Sequence, residues 1–122
     1  LSYTRFAYSS LKLSHTRISD KDSFTASIEL TNVGDREGTE VVQLYIRDIY
    51  SSATRPVKEL KDFARVTLKP GEKKTVTFTV TPDKLAYWNR NMQYGVEKGE
   101  FEIMIGSSSQ DKDLKKVKME VL

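Results

Sequence analysis

The chain has no cysteine, one histidine, one tryptophan and three prolines in 122 residues. Without cysteine there can be no disulfide and no thiolate metal site. With only His15 to serve as an imidazole base, a Ser–His arrangement of nucleophilic catalysis has one possible centre. His15 sits in the polar stretch LSHTR, with no convergent metal ligands spaced around it. No apolar run approaches the roughly 20 residues a membrane helix needs, and no signal-peptide pattern opens the chain. Charge of one sign is also lacking. The 20 basic and 17 acidic residues leave a net charge of +3, spread too evenly for a nucleic-acid footprint, which clusters on one face. The one local basic run, Lys112 to Lys118, is broken by Asp113, Leu114 and Val117 and reads as a solvated strand edge blunted by lysines. Glycine-rich phosphate loops are missing too; the six glycines are scattered, mostly at turns.

What is present is period-two alternation. In FTASIELTN, Phe24, Ala26, Ile28 and Leu30 share one face, with Thr25, Ser27, Glu29 and Thr31 on the other. TVTFTVT repeats the pattern with Val76, Phe78 and Val80 inward and threonines on the wet side, where their β-branched chains suit a pleated surface. Val42, Leu44 and Ile46 form a third inward set, Phe101, Ile103 and Ile105 a fourth, and Val117, Met119 and Val121 a fifth. Two segments change phase. Phe6 and Tyr8 have one parity and Leu11 and Leu13 the other, which predicts a bulge or crossover near Ser9 and Ser10. LKDFARVTL shifts between Phe63 and the set Ala64, Val66, Leu68; Leu60 and Phe63 are assigned to the core.

The turn chemistry agrees. NVGDREG separates two strands. Pro70–Gly71 has the order of a type II turn, proline fixing the first central residue and glycine accepting positive φ at the second. TPDKLAYW suggests one helical turn, capped by Thr81 with Pro82 at its first position. Seven or eight short strands with regular turn signals predict an all-β, antiparallel β-sandwich of immunoglobulin or fibronectin type III-like kind, one domain spanning residues 1–122.

Chemistry is sparse. The carboxylate pairs Glu97/Glu100 and Glu59/Asp62 lack a glycosidase-like context and read as solvated hairpin positions. Tyr87, Trp88 and Tyr94 cluster in AYWNRNMQYG; such a group can be a core plug, an anchor onto another domain, or a platform for stacking sugar rings. In RPVKELKDF, Pro56 cannot donate to a strand ladder and biases Arg55 toward extended geometry. Arg55 carries the planar fork suited to carboxylates and carbonyls, so it is the residue best equipped to reach a neighbour; a local ion pair or a solvated loop is the alternative.

Several segments coincide in order and spacing with one family. LSYTRF, LTNVGDREGTEVVQLYIRD, RPVKELKDFARVTLKPGEKKTVTFTVT and VEKGEFEIMIGSSS resemble the fibronectin type III-like domain at the C-terminus of glycoside hydrolase family 3 enzymes, the β-glucosidases and β-xylosidases. Departures are small: the family often has glycine where Asp62 stands and tryptophan where Tyr94 stands. The resemblance implies a non-catalytic accessory module cut from a longer enzyme, in keeping with a first residue of leucine. It implies no catalytic residue, metal or cofactor here, since no position matches the family's nucleophile or acid/base. The implied partner is the parent's catalytic domains, with Arg55, Pro56, Tyr87, Trp88 and Tyr94 as contact residues and an exposed patch near Tyr87, Trp88 and the 48–60 loop. A carbohydrate- or polymer-binding module is the alternative. No nucleic-acid or membrane partner is implied. Such parents are often periplasmic or secreted, with cytoplasmic members as well.

Overall fold

A computed structural model describes residues 5–49, 58–88, 94–96 and 98–122, with Tyr87, Trp88, Tyr94 and Asp111 described through their backbone alone. Arg55 and Pro56 lie outside the described residues.

The alternating segments become two facing sheets. In the first, β4 (Phe24–Asn32) is flanked on one side by β7 (Lys73–Val80) and on the other by the short strands β1 (Phe6–Tyr8) and β2 (Lys12–Leu13). The second runs β3 (Arg17–Ile18), β11 (Leu114–Val121), β10 (Gly99–Gly106), β5 (Gly38–Asp48), β6 (Glu59–Leu68). A separate ribbon pairs β8 (Tyr87–Trp88) with β9 (Tyr94–Gly95). All pairings are antiparallel except β3 with β11, which is parallel. That single departure from the expected antiparallel pattern arises because the chain crosses from the first sheet to the second after β2. It arrives beside β11 running in the same direction, held by Glu120 N–H to the Thr16 carbonyl (2.7 Å) and Leu122 N–H to the Ile18 carbonyl (2.8 Å).

The inward sets meet between the sheets. Leu30, Val42, Leu44, Val80, Ile103 and Ile105 are all fully buried, and each such side chain contributes roughly 1.5–3 kcal/mol of transfer free energy.

Both phase shifts are real. β1 pairs as Phe6↔Asn32 and Tyr8↔Leu30, whereas β2 pairs as Lys12↔Ser27, so one extra residue lies between them. Ser9 is well suited to the break. Its N–H donates to the Glu29 carbonyl (2.9 Å), and its hydroxyl accepts from the Glu29 N–H (2.8 Å), replacing the carbonyl that the slipped ladder withdraws. Ser14 repeats the arrangement on Thr25. The second shift falls earlier in β6 than the sequence suggests. Leu44 opposes Asp62 but Tyr45 opposes Leu60, so Lys61 is the extra residue.

That displacement corrects the placement of Leu60 and Phe63 in the core. Their spacing of three would put them on opposite faces of a regular strand. The bulge at Lys61 puts both on the outer face, opposite the outward residues Tyr45 and Gln43, where they are 50% and 59% exposed.

The helical turn α1 (Pro82–Leu85) forms with Thr81 at its N-cap, but the Thr81 side chain makes no capping bond; its carbonyl accepts from the Lys84 N–H at 3.0 Å. Gly71 has φ +80°, and Glu72 N–H closes on the Lys69 carbonyl (2.9 Å), as a type II turn requires. Asn32, fully buried, braces this end. Its amide donates to the carbonyls of Arg36 (2.8 Å) and Leu68 (2.9 Å), its side-chain oxygen accepts from Gly34 N–H (2.9 Å), and its backbone bonds Gly71 and Glu72.

Candidate interdomain surface

Strand direction decides what shares an end. β5 finishes at Asp48, β6 begins at Glu59, β7 finishes at Val80 and β10 begins at Gly99. The pairings Ile46↔Glu59 and Phe101↔Asp48 set three of them at one end of the five-stranded sheet, and the bond from Lys84, just after β7, to Asp62 near the start of β6 brings the end of β7 to the same side. The segment containing Arg55 and Pro56 and the ribbon containing Tyr87, Trp88 and Tyr94 therefore both connect strands at that end. Within the ribbon the backbone sets Trp88 directly opposite Tyr94 and Tyr87 opposite Gly95.

α1 anchors this end to the core. Leu85 and Ala86 are 2% and 6% exposed. Lys84 Nζ donates to the Asp62 carboxylate (2.9 Å) and to the Thr79 carbonyl (2.6 Å), tying the turn to both β6 and β7. Asp62 also accepts from the Phe63 N–H (2.8 Å). Glu59 pairs with Lys61 at 3.2 Å, so the two carboxylates considered as a pair are each held by a separate lysine.

The outer face of the five-stranded sheet has its own small apolar layer, on the side opposite the inward sets. Tyr45, Met104 and Leu114 are 9%, 1% and 8% exposed and pack together. Tyr45 donates its hydroxyl to Gln43 Oε1 (2.5 Å), and Gln43 Nε2 donates to the Ser107 carbonyl (2.9 Å). Glu102, also buried, meets Arg47 at 2.7 Å. Beside this layer Leu60, Phe63 and Val41 remain open to solvent. The three-residue spacing of Leu60 and Phe63, incompatible with one face of a regular strand, was the available sign.

At the opposite end Tyr8 faces Glu40. Burial, then the Glu40 charge, push the Tyr8 phenol far above its usual range, and its buried hydroxyl has no well-aligned partner. Burial also raises the Glu40 carboxyl. Among the described residues the imidazole lies on the open surface and not in a pocket. His15 is exposed and bonded through Nδ1 to the neighbouring Ser14 hydroxyl (3.0 Å), and among the described residues no group of three or more His, Cys, Asp or Glu could hold a metal. A shallow groove lies over the β1–β2 break, lined by Ser9, Ser10, Lys12, Ser27, Ile28, Glu29 and Thr75. It offers hydroxyls and two opposite charges, and its lining has no aromatic ring for a sugar to stack on.

Comparison with known proteins is consistent with this arrangement. The family model for the fibronectin type III-like domain matches residues 40–109. The chain is 48% identical over 116 residues to thermostable β-glucosidase B of Acetivibrio thermocellus, covering 94% of this chain and 15% of that protein. It is 48% identical over 121 residues to a β-xylosidase of Formosa agariphila, covering 99% and 17%. Against a periplasmic β-glucosidase of Salmonella typhimurium it is 47% identical over 109 residues, covering 89% and 14%. A solved β-glucosidase structure from Erythrobacter marinus superposes with a TM-score of 0.91 at 38% identity, over 100% of this chain and 16% of that one. The chain thus spans about one-sixth of the length of the hydrolases it resembles, and the domain itself is not their catalytic unit. By its two-sheet topology and by the match over residues 40–109, this chain belongs to the fibronectin type III-like domain family.

Proposed function

We propose that the domain is a non-catalytic accessory module of a β-glucosidase- or β-xylosidase-like glycoside hydrolase, packed against the catalytic domains and stabilising them. The observation that carries this reading is coverage: nearly all of this chain matches a β-xylosidase, yet it accounts for 17% of that protein. Docking involves the end of the sandwich at which the strands bounding Arg55 and Pro56 (β5 and β6) and those bounding Tyr87, Trp88 and Tyr94 (β7 and β10) finish and begin. An interface within one chain typically buries about 600–1,500 Å², enough for a tethered domain to add to the stability of its neighbours. On this reading the parent is periplasmic or secreted, with the cytoplasm as the alternative; one similar hydrolase is named periplasmic.

Two measurements test the reading. The 122-residue chain should give no turnover of chromogenic β-glucosides, and deleting it from the parent hydrolase should lower the parent's inactivation temperature. Turnover that copurifies with this chain, or a deletion that leaves inactivation unchanged, overturns it.

A second reading, a carbohydrate-binding module, is favoured by one observation, the cross-strand placement of Trp88 and Tyr94. Retention on insoluble cellulose or xylan that disappears in Trp88→Ala would support it; the accessory reading expects no retention.

A further inference from the structure

β6 spends a bulge to place two large apolar side chains in water. The extra residue at Lys61 puts Leu60 opposite Tyr45 and Phe63 opposite Gln43, so both stand on the outer face of the five-stranded sheet. They are 50% and 59% exposed, next to Val41 at 37%. They are not isolated surface residues. Tyr45 and Met104 beside them are already buried, so the strip continues a firm apolar layer, and Arg65, exposed, follows Phe63 on the same face. Asp62 is fixed beneath by Lys84 and by the Phe63 N–H, which holds the bulge in one geometry.

From this we infer that the Leu60–Phe63 strip is the face on which the rest of the parent polypeptide seats, presenting an apolar patch with a carboxylate at its edge for Arg65. This deepens the accessory-module reading and rests on it. Three observations choose the occupant. The similar hydrolases that carry this domain have about five-sixths of their length outside it. Leu60, Phe63 and Val41 together expose on the order of 250 Å², well short of the roughly 800 Å² per partner that a stable free-standing dimer buries; a tethered neighbour, at an effective concentration in the millimolar range, needs far less. Finally, β6 is a sheet edge whose bulge twists its backbone away from strand addition, so contact is made by side chains on the face rather than by an added strand.

Hydroxyl-radical footprinting of the 122-residue chain and of the intact parent hydrolase reads this directly. The expected result is at least fivefold slower oxidation of Phe63 in the parent. The parent carrying Leu60→Ser and Phe63→Ser should lose several degrees of inactivation temperature more than the 122-residue chain loses in melting temperature from the same pair of changes, because in the isolated chain about half of each side chain already stands in solvent. If Phe63 reacts equally in both forms while Tyr87 and Trp88 are protected in the parent, docking occurs at another face: this inference falls and the accessory reading stands. If no residue is protected, both fall. Protection of Phe63 in the isolated chain that grows with its concentration assigns the strip to a second copy and overturns the proposal. The footprint of the unsubstituted proteins decides the matter even if the double variant does not fold.

Discussion

Removing the Asn32 side chain should cost this sandwich more than removing a typical core methyl. The side chain is fully buried and makes three bonds: two donated, to the Arg36 and Leu68 carbonyls, and one accepted, from Gly34 N–H. Each such bond contributes about 1 kcal/mol net, and stranding a buried acceptor costs about 1–3 kcal/mol. The Leu68 carbonyl bond is fully buried, whereas the Arg36 and Gly34 bonds are only partly so, and water can reach those partners. Asn32→Ala should therefore lose about 3–4 kcal/mol, against the roughly 5–15 kcal/mol that holds a domain folded. At about 3–5 °C per kcal/mol for a chain of this size, the melting temperature falls by about 10–20 °C. Urea denaturation measures the loss. Hydrogen exchange locates it, since the Gly34 N–H loses its acceptor while the Gly71 N–H keeps its bond to the Asn32 carbonyl. Asn32→Asp sharpens the test. It keeps the acceptor for Gly34 but points a carboxylate at two carbonyls, so it should be worse than alanine at neutral pH and partly recover in acid, where protonation restores one donor. A loss below about 1 kcal/mol for Asn32→Ala would refute the argument that this side chain braces the two turns.

Gly106→Ala should destabilise by about 1–3 kcal/mol or more, because a Cβ there would lie 1.9 Å from the Asp113 carbonyl oxygen. Gly71→Ala has open space around it but sits at φ +80°, so its cost should be only about 1 kcal/mol of backbone strain; thermal melts of the pair separate crowding from conformation. The Glu40 carboxyl is raised above its ordinary 4.5 in the fold, so its protonated form favours folding. Its contribution is fully present below pH 4.5 and is lost as pH rises through the higher folded value. Glu40→Gln should accordingly flatten the urea midpoint across that window and raise it at neutral pH; an unchanged profile contradicts the burial argument. The raised Tyr8 phenol has the same sign above pH 10, so Tyr8→Phe should extend stability into alkali and leave the neutral midpoint nearly unchanged.

Much of the fold could be read from the chain because half-buried strands write their faces into alternate residues. The inward sets on β4, β5, β7, β10 and β11 needed nothing more. Ser9 and Ser10 marked a parity break, and a break is where it was found. The core assignment of Leu60 and Phe63 failed because a bulge is a backbone event: apolarity reports a wish for burial, and only the register with β5 tells which face receives the side chain. The buried outer layer of Tyr45, Met104 and Leu114 escaped notice for a related reason, since alternation marks a second face as the opposite one without saying that it is dry. Asn32 in LTNVGD read as a turn former, and its bonds to Arg36 and Leu68 depend on a neighbouring hairpin that no local pattern can announce. The contact residues proposed at the β8–β9 end rest on backbone placement for Tyr87, Trp88 and Tyr94.

The parallel pairing of β3 with β11 bears on how the domain transmits force. A pull on the chain before Arg17 and an opposing pull beyond Val121 act at opposite ends of that ladder, because the two strands run the same way. The Glu120–Thr16 and Leu122–Ile18 bonds are then strained together in shear instead of being peeled open one after the other. Tension carried through these two segments is therefore shared by both bonds at once, and the seam resists it as a unit.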